Sequence, residues 1–209
     1  MMTWLTNLDR MKALLTERPS LSIPELQLLS DQDWFAVVAE GVKLDNDSDI
    51  RRAFQYLRTT AVGLAVPKIR AALNGYVKAH DGMLPDEPRQ LLPFFDPPID
   101  PSIVDRYQML QTGNVSANSN RIADAGLMRE KVPADFEYDA FWTFGMGGFR
   151  RIAAMDHNVA EGQKAFAKAN GGRRATTAEQ LTPYLPWPVE HRALQAHLNR
   201  PPAPTGGAR

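Results

Sequence analysis

Through the first eighty residues apolar side chains recur every three or four positions, and that rhythm predicts helices. Trp4, Leu5, Leu8, Met11, Leu14 and Leu15 form one such stripe, closed by Pro19. Ser22 and Glu25 in "SIPE" have the spacing of a capping box, with Pro24 in the first turn, where no backbone donor is needed. Ser30–Asp31 opens a further helix carrying Trp34, Phe35, Val37 and Val38, and Gly41 ends it. From about Asp47, the residues Ile50, Ala53, Phe54, Leu57, Ala61, Leu64 and Ala65 share one face, which leaves Arg51, Arg52, Gln55 and Arg58 pointing away. Pro67 lacks a donor and its ring meets the carbonyl four residues back, so the helix is expected to end or bend there. A new stripe of Ile69, Ala72, Leu73, Tyr76 and Val77 follows.

The stretch "YVKAHDGMLPDEPRQLLPFFDPPID" (Tyr76–Asp100) is answered ninety residues later by "FAKANGGRRATTAEQLTPYLPWPVE" (Phe166–Glu190). From Tyr76 to Pro101 the identities at that offset are Lys78/Lys168, Ala79/Ala169, Gly82/Gly172, Gln90/Gln180, Leu91/Leu181, Pro93/Pro183 and Pro98/Pro188. These are helix stops, turn prolines and core-facing apolar residues, the types that fix a chain path. Each window reads as a helix ending at glycine, a short helix around the Gln-Leu pair, a proline turn and a third helix. Thr176 or Thr177 caps the short helix of the second window. The third helix carries Ile103, Val104, Tyr107 and Leu110 in the first window, and "VEHRALQAHL" in the second. A duplicated helix–turn–short helix–turn–helix unit is the expectation.

Between the windows, "QTGNVSANSN" is loop-like. In "DFEYDAFWTFGMGGFRRI", Phe136, Tyr138, Ala140, Trp142 and Phe144 alternate with Glu137, Asp139, Phe141 and Thr143, the period of a strand. "GMGG" then permits reversal into a second strand. The predicted fold is therefore mainly α: a duplicated unit with one small β-hairpin. Its organisation is an N-terminal helical region (1–66), a first repeat unit (67–110), loop plus aromatic hairpin (111–156), a second repeat unit (157–198) and a disordered Pro/Gly tail (199–209). "YVKAHDGMLPDEPRQLLPFF" resembles a stretch in the soluble parts of bacterial pilin-like proteins and segments of uncharacterised bacterial proteins. That likeness implies a bacterial source. The N-terminal membrane-spanning helix that defines pilins is missing, so the likeness implies neither their assembly nor their function.

Composition narrows the function. Twenty-four basic residues balance twenty-four acidic ones, so no global field favours nucleic acid. Cysteine is absent, which excludes disulfides, thiolate nucleophiles and cysteine-held zinc or iron–sulfur sites. No stretch approaches the roughly 18 apolar residues of a membrane span. The start has no uninterrupted apolar run of secretory length, so a cytoplasmic protein is expected.

The chemistry-bearing motifs are sparse. Asp45, Asp47 and Asp49 fit the first positions of a calcium loop, but Ile50 stands where glycine is required and Tyr56 where glutamate is. "GMGGFRR" matches neither a dinucleotide fingerprint nor a P-loop. His191 and His197 are six apart and point to different helix faces, while His80 and His157 sit at helix ends. No metal or cofactor is expected. Asp135, Glu137 and Asp139 would project from one face of the predicted strand, a row able to do acid–base work if a cleft desolvated it. The leading expectation is a non-catalytic binding or scaffolding protein with a protein partner, its candidate binding residues Tyr138, Trp142 and Phe144. The alternative is a hydrolase-like enzyme using Asp135, Glu137 or Asp139 with a histidine such as His157.

Overall fold

The computed structural model describes residues 2–115 and 126–200, with side chains from Leu5 onward. Half of the predicted polar loop (116–120) and most of the predicted tail (201–209) lie outside these residues. The described chain is mainly helical with a small four-stranded antiparallel sheet. It divides into two compact units, Met1–Ile152 and Ala153–Arg209. Among the described residues, no helix is long and apolar enough to cross a membrane.

The first unit is organised along α3 (Asp47–Ala79), preceded by α1 (Met2–Glu17) and α2 (Asp31–Ala39). The predicted cap of α2 is present: the Ser30 hydroxyl accepts the Asp33 N–H while the Asp33 carboxylate accepts the Ser30 N–H. Gly41 then leaves the helix at φ 78°. Ala53, Phe54, Leu57, Ala61, Ala65, Ile69 and Leu73 are buried along α3. Two 3-10 turns, Pro24–Leu28 and Pro88–Phe94, pack against that face, and α4 (Pro101–Asp105) follows the second.

The structure departs from the expected elements at several points. α3 runs as one helix through Pro67 rather than ending there. Pro67 is exposed and Gly63, whose carbonyl loses its donor, is part-exposed, on a side of the helix where water can replace the missing donor. Arg58 does not face away; it is 3% exposed. Ser22 caps nothing: the 3-10 turn starts after Ile23 without a side-chain cap, and Glu25 is buried. The helix predicted through Leu110 stops at Asp105, and Tyr107 begins a strand.

The sheet comprises β1 (Tyr107–Met109), β2 (Met128–Glu130), β3 (Ala140–Phe144) and β4 (Phe149–Ala153), in that spatial order. Tyr107 pairs with Glu130, and Met128 with both Met109 and Phe144. The predicted hairpin is β3–β4, reversed where the Gly145 N–H donates to the Gly148 carbonyl at 3.0 Å. The strand begins at Ala140, not Phe136. Residues 135–139 form a turn instead, in which the Asp135 carboxylate accepts the N–H groups of Glu137 and Tyr138. Nor does burial alternate along β3: Phe141 and Thr143 are buried as well as Trp142 and Phe144. Trp142 and Phe144 belong to the apolar core, with the Phe144 ring edge-on to Tyr107 at 5.4 Å.

The second unit contains α5 (Ala154–Ala169), α6 (Ala178–Leu181), a 3-10 turn (Thr182–Tyr184) and α7 (His191–Leu198). Thr177 caps α6 by accepting the Gln180 N–H. Ala175, Ala178, Leu181 and Leu194 form its small core.

Candidate functional site

Arg51 and Arg58 lie seven residues apart on α3, nearly two full turns, so they share a side of the helix. The turn at 135–139 docks on them. Arg51 grips Asp135 with two hydrogen bonds, Nε to Oδ2 at 2.7 Å and Nη2 to Oδ1 at 2.8 Å. Its Nη1 also reaches Glu137 at 3.0 Å, and the guanidinium lies over the Tyr138 ring at 4.8 Å. The Tyr138 and Ser48 hydroxyls are 2.6 Å apart. Arg58 Nη2 donates to Asp139 at 2.8 Å and its Nη1 to the Leu21 carbonyl at 3.2 Å. Asp139 also accepts the Asp135 N–H at 2.9 Å, which closes the turn on itself.

A second set lies beside the first. Arg106 donates to Glu25 at 2.6 Å and to Glu130 at 3.2 Å. The Tyr107 hydroxyl donates to the other Glu25 oxygen at 2.9 Å. Where the β2–β3 ladder would continue, the Trp142 N–H donates to the Glu130 carboxylate at 3.0 Å instead. Arg58, Arg106, Glu130, Asp139 and Trp142 all line one cavity of about 10 Å³, so the two sets share a wall.

Burial governs the electrostatics. It pushes the Glu130 carboxyl up to about 7, against the pull of Arg106 and the Trp142 N–H. It raises Asp139 as well, outweighing Arg58. At Asp135 burial also pushes upward, but the hydrogen bonds and charge of Arg51 and the N–H groups of the turn leave the group below its ordinary value. Burial, with Glu25 nearby, holds the Tyr107 phenol well above its usual range. Buried charges of this kind are tolerable only when paired, and removing one partner strands the other.

The cluster can hold a proton near neutrality at Glu130, but its cavity is about the size of one water molecule. What it does mechanically is plainer. It ties the turn at 24–28, helix α3, the start of β1, strand β2 and the turn at 135–139 into one body.

The structure brings Asp135, Glu137 and Asp139 together, on a turn facing arginines rather than as a row on a strand. His157 stands on α5 in the second unit, its ring 6.1 Å from that of Trp187. Tyr138 is part-buried, while Trp142 and Phe144 are covered. Sequence reasoning missed Glu25, Arg58, Arg106 and Glu130. For Arg58 a signal existed: Phe54, Leu57, Arg58, Ala61, Val62 and Ala65 follow the i, i+3, i+4, i+7 rule, which places position 58 inside the buried stripe. For Glu25 and Arg106, 81 residues apart, there is none.

Elsewhere in the first unit, a groove of about 330 Å³ lies between α3 and the loop that follows α2, lined among others by Glu40, Lys43, Asp49, Arg52 and Tyr56. Among the described residues, no three or more His, Asp or Glu side chains are placed to hold a metal ion. Comparison with protein-family models, with curated proteins and with solved structures gives no match for this chain.

Proposed function

We propose that this chain is a non-catalytic binding or scaffolding protein that acts through a protein partner. The observation that carries this reading is the engagement of Asp135 and Asp139. A hydrolytic carboxylate needs a free oxygen facing a substrate-sized space. Both groups are instead bound by arginines of α3 and by backbone N–H groups of their own turn. They serve the fold.

The framework of this scaffold is read as a duplicated unit. The helix exits, the Gln-Leu short helices and an edge-on ring pair recur at the ninety-residue offset, Tyr76 against Phe94 at 5.5 Å and Phe166 against Tyr184 at 5.2 Å.

The test uses the purified chain in two assays. A partner isolated by crosslinking in the source organism is purified, and its Kd for the chain is measured. In parallel, ester, peptide and phosphate substrates are screened for hydrolysis. A reconstituted complex whose affinity is unchanged by Asp139→Asn supports the reading, provided that variant remains folded. Hydrolysis that falls about 100-fold or more in a folded Asp139→Asn variant overturns it.

A further inference from the structure

β4 is an outer strand of the sheet. Its hairpin is held in place by Arg70, which donates to the carbonyls of Gly145 at 3.0 Å and Met146 at 2.7 Å. Phe149 is 58% exposed, and Arg150 and Arg151 are exposed beside it. Because the Gly148 carbonyl accepts from Gly145, the residue just after β3, the alternation of an antiparallel ladder turns the backbone groups of Phe149 and Arg151 outward. Trp142 packs against the Phe149 ring at 5.2 Å and under the Arg151 guanidinium at 4.9 Å. Those two side chains therefore share a face, and Arg150 and Ile152 take the other.

Each face of this edge thus presents one guanidinium. Arg51, Arg58, Arg89 and Arg106 all bind carboxylates, whereas among the described residues neither Arg150 nor Arg151 meets one. A second copy paired along β4 would set arginine against arginine across the new ladder, and like charges directly opposite are destabilising. An acidic strand would place carboxylates there instead.

We propose that β4 is a docking edge that accepts an extended acidic segment of a partner protein as a fifth strand, with adjacent carboxylates opposite Arg150 and Arg151. Main-chain hydrogen bonds to the outward groups of Phe149 and Arg151 supply affinity, and the two ion pairs supply selectivity. This inference rests on the protein-binding reading above and names its surface.

The experiment is fluorescence anisotropy on the full chain with a labelled acetyl-Thr-Val-Glu-Glu-Val-Thr-amide probe. Its comparison probes are the Lys-Lys counterpart, a version N-methylated at both glutamates, and an oligothymidylate. The acidic probe is expected to bind about tenfold or more tightly than the Lys-Lys probe. The double variant Arg150→Glu, Arg151→Glu should reverse that preference, a gain of binding that a misfolded variant cannot produce. N-methylation should remove binding while leaving the charge. Equal binding of the methylated probe, no discrimination between the charged probes, or tighter binding of the oligothymidylate would overturn the docking edge. So would concentration-dependent dimerisation abolished by the double variant. If a purified natural partner binds wild type and double variant alike, the edge fails and the protein-binding reading stands. If neither a partner nor any probe binds the wild type, both fail.

Discussion

The chain leaves a long helix twice in the same way and secures the result differently each time. At the end of α3, Asp81 and Gly82 adopt φ values of 50° and 84°, and the Gly82 N–H closes on the Val77 carbonyl at 2.9 Å. At the end of α5, Gly171 and Gly172 adopt 63° and 84°, and the Gly172 N–H closes on Ala167 at 2.8 Å. Gln90 Oε1 then accepts the Asp86 N–H at 2.7 Å, and Gln180 Oε1 accepts the Thr176 N–H at 2.9 Å. Leu91 and Leu181 are both fully buried.

Around this shared skeleton the attachments diverge. The residues flanking the first exit, Tyr76, Val77, Leu84 and Leu91, join the large apolar core, with an Arg89–Asp105 pair nearby and the Leu84 N–H bonded to the Gly113 carbonyl. Among the described residues the second has a small core of Ala175, Ala178, Leu181 and Leu194, and side-chain amides clasp its loops. Gln163 bonds the Ala175 carbonyl and N–H at 2.8 and 3.0 Å, and Asn158 holds Trp187 in the same two-handed way at 2.9 and 3.2 Å. Where little apolar area is available, buried amides hold a loop that a larger core would hold by packing.

The largest expected effect separates the two cores. Leu91→Ala should destabilise the first unit by about 3–5 kcal/mol, because a rigid surround keeps the cavity open. Leu181→Ala should cost nearer 2 kcal/mol, since a small core collapses more easily. Urea denaturation followed by probes in each unit measures both, and equal costs would remove the distinction.

The buried carboxylates sharpen it further, since in the second unit no carboxylate is buried among the described residues. Glu130 faces Arg106, Glu25, Asp139, Tyr107 and the Trp142 N–H. Its folded value of about 7 lies above the ordinary 4.5, so the fold prefers it protonated. Its stabilising contribution is complete below about 4.5 and is lost as pH rises through 7, a change of about 3 kcal/mol. Asp135 works in the opposite sense: its contribution is present above its ordinary 3.8 and is lost on acidification. The first unit should therefore be most stable in mildly acidic solution. Glu130→Gln should flatten the decline between pH 4.5 and 7 in its urea midpoint, whereas the second unit should show no such decline.

Gln163→Ala should cost the second unit about 1–3 kcal/mol, because it leaves the buried N–H and carbonyl of Ala175 without partners. The smallest effects are at the helix exits. Gly172→Ala should cost about 1–2 kcal/mol from its left-handed backbone alone, since an added Cβ meets nothing. Gly82→Ala should cost more, because the same Cβ would stand 3.2 Å from the Asn114 amide that bonds the Asp81 carbonyl. Melting temperatures of the two variants rank them.

The elements legible in the sequence are those written in local chemistry. Helix stripes, the Ser30 cap, the glycine exits and the "GMGG" reversal all appear where residue type and spacing place them. The strands β1 and β2 were not legible, for three residues are too few to display a period, and Tyr107 happens to continue the helical spacing of Ile103 and Val104. At the candidate site, "DFEYD" alternates like a strand, yet Asp135 folds it into a turn by binding its own following N–H groups. The arginine partners lie more than eighty residues away on α3, and no local pattern in the turn announces them.

We infer that residues 76–95 and 166–185 follow the same hydrogen-bonded path. Residue-resolved amide hydrogen exchange on the intact chain tests it most directly. The Gly82 and Gly172 amides should both be protected relative to their preceding residues, as should those of Asp86 and Thr176. Gln90→Ala should release Asp86 and Glu87 while Thr176 stays protected, and Gln180→Ala should release Thr176 while Asp86 stays protected. Free-peptide exchange at Gly172 and Thr176, with Gly82 and Asp86 protected, would contradict the claim.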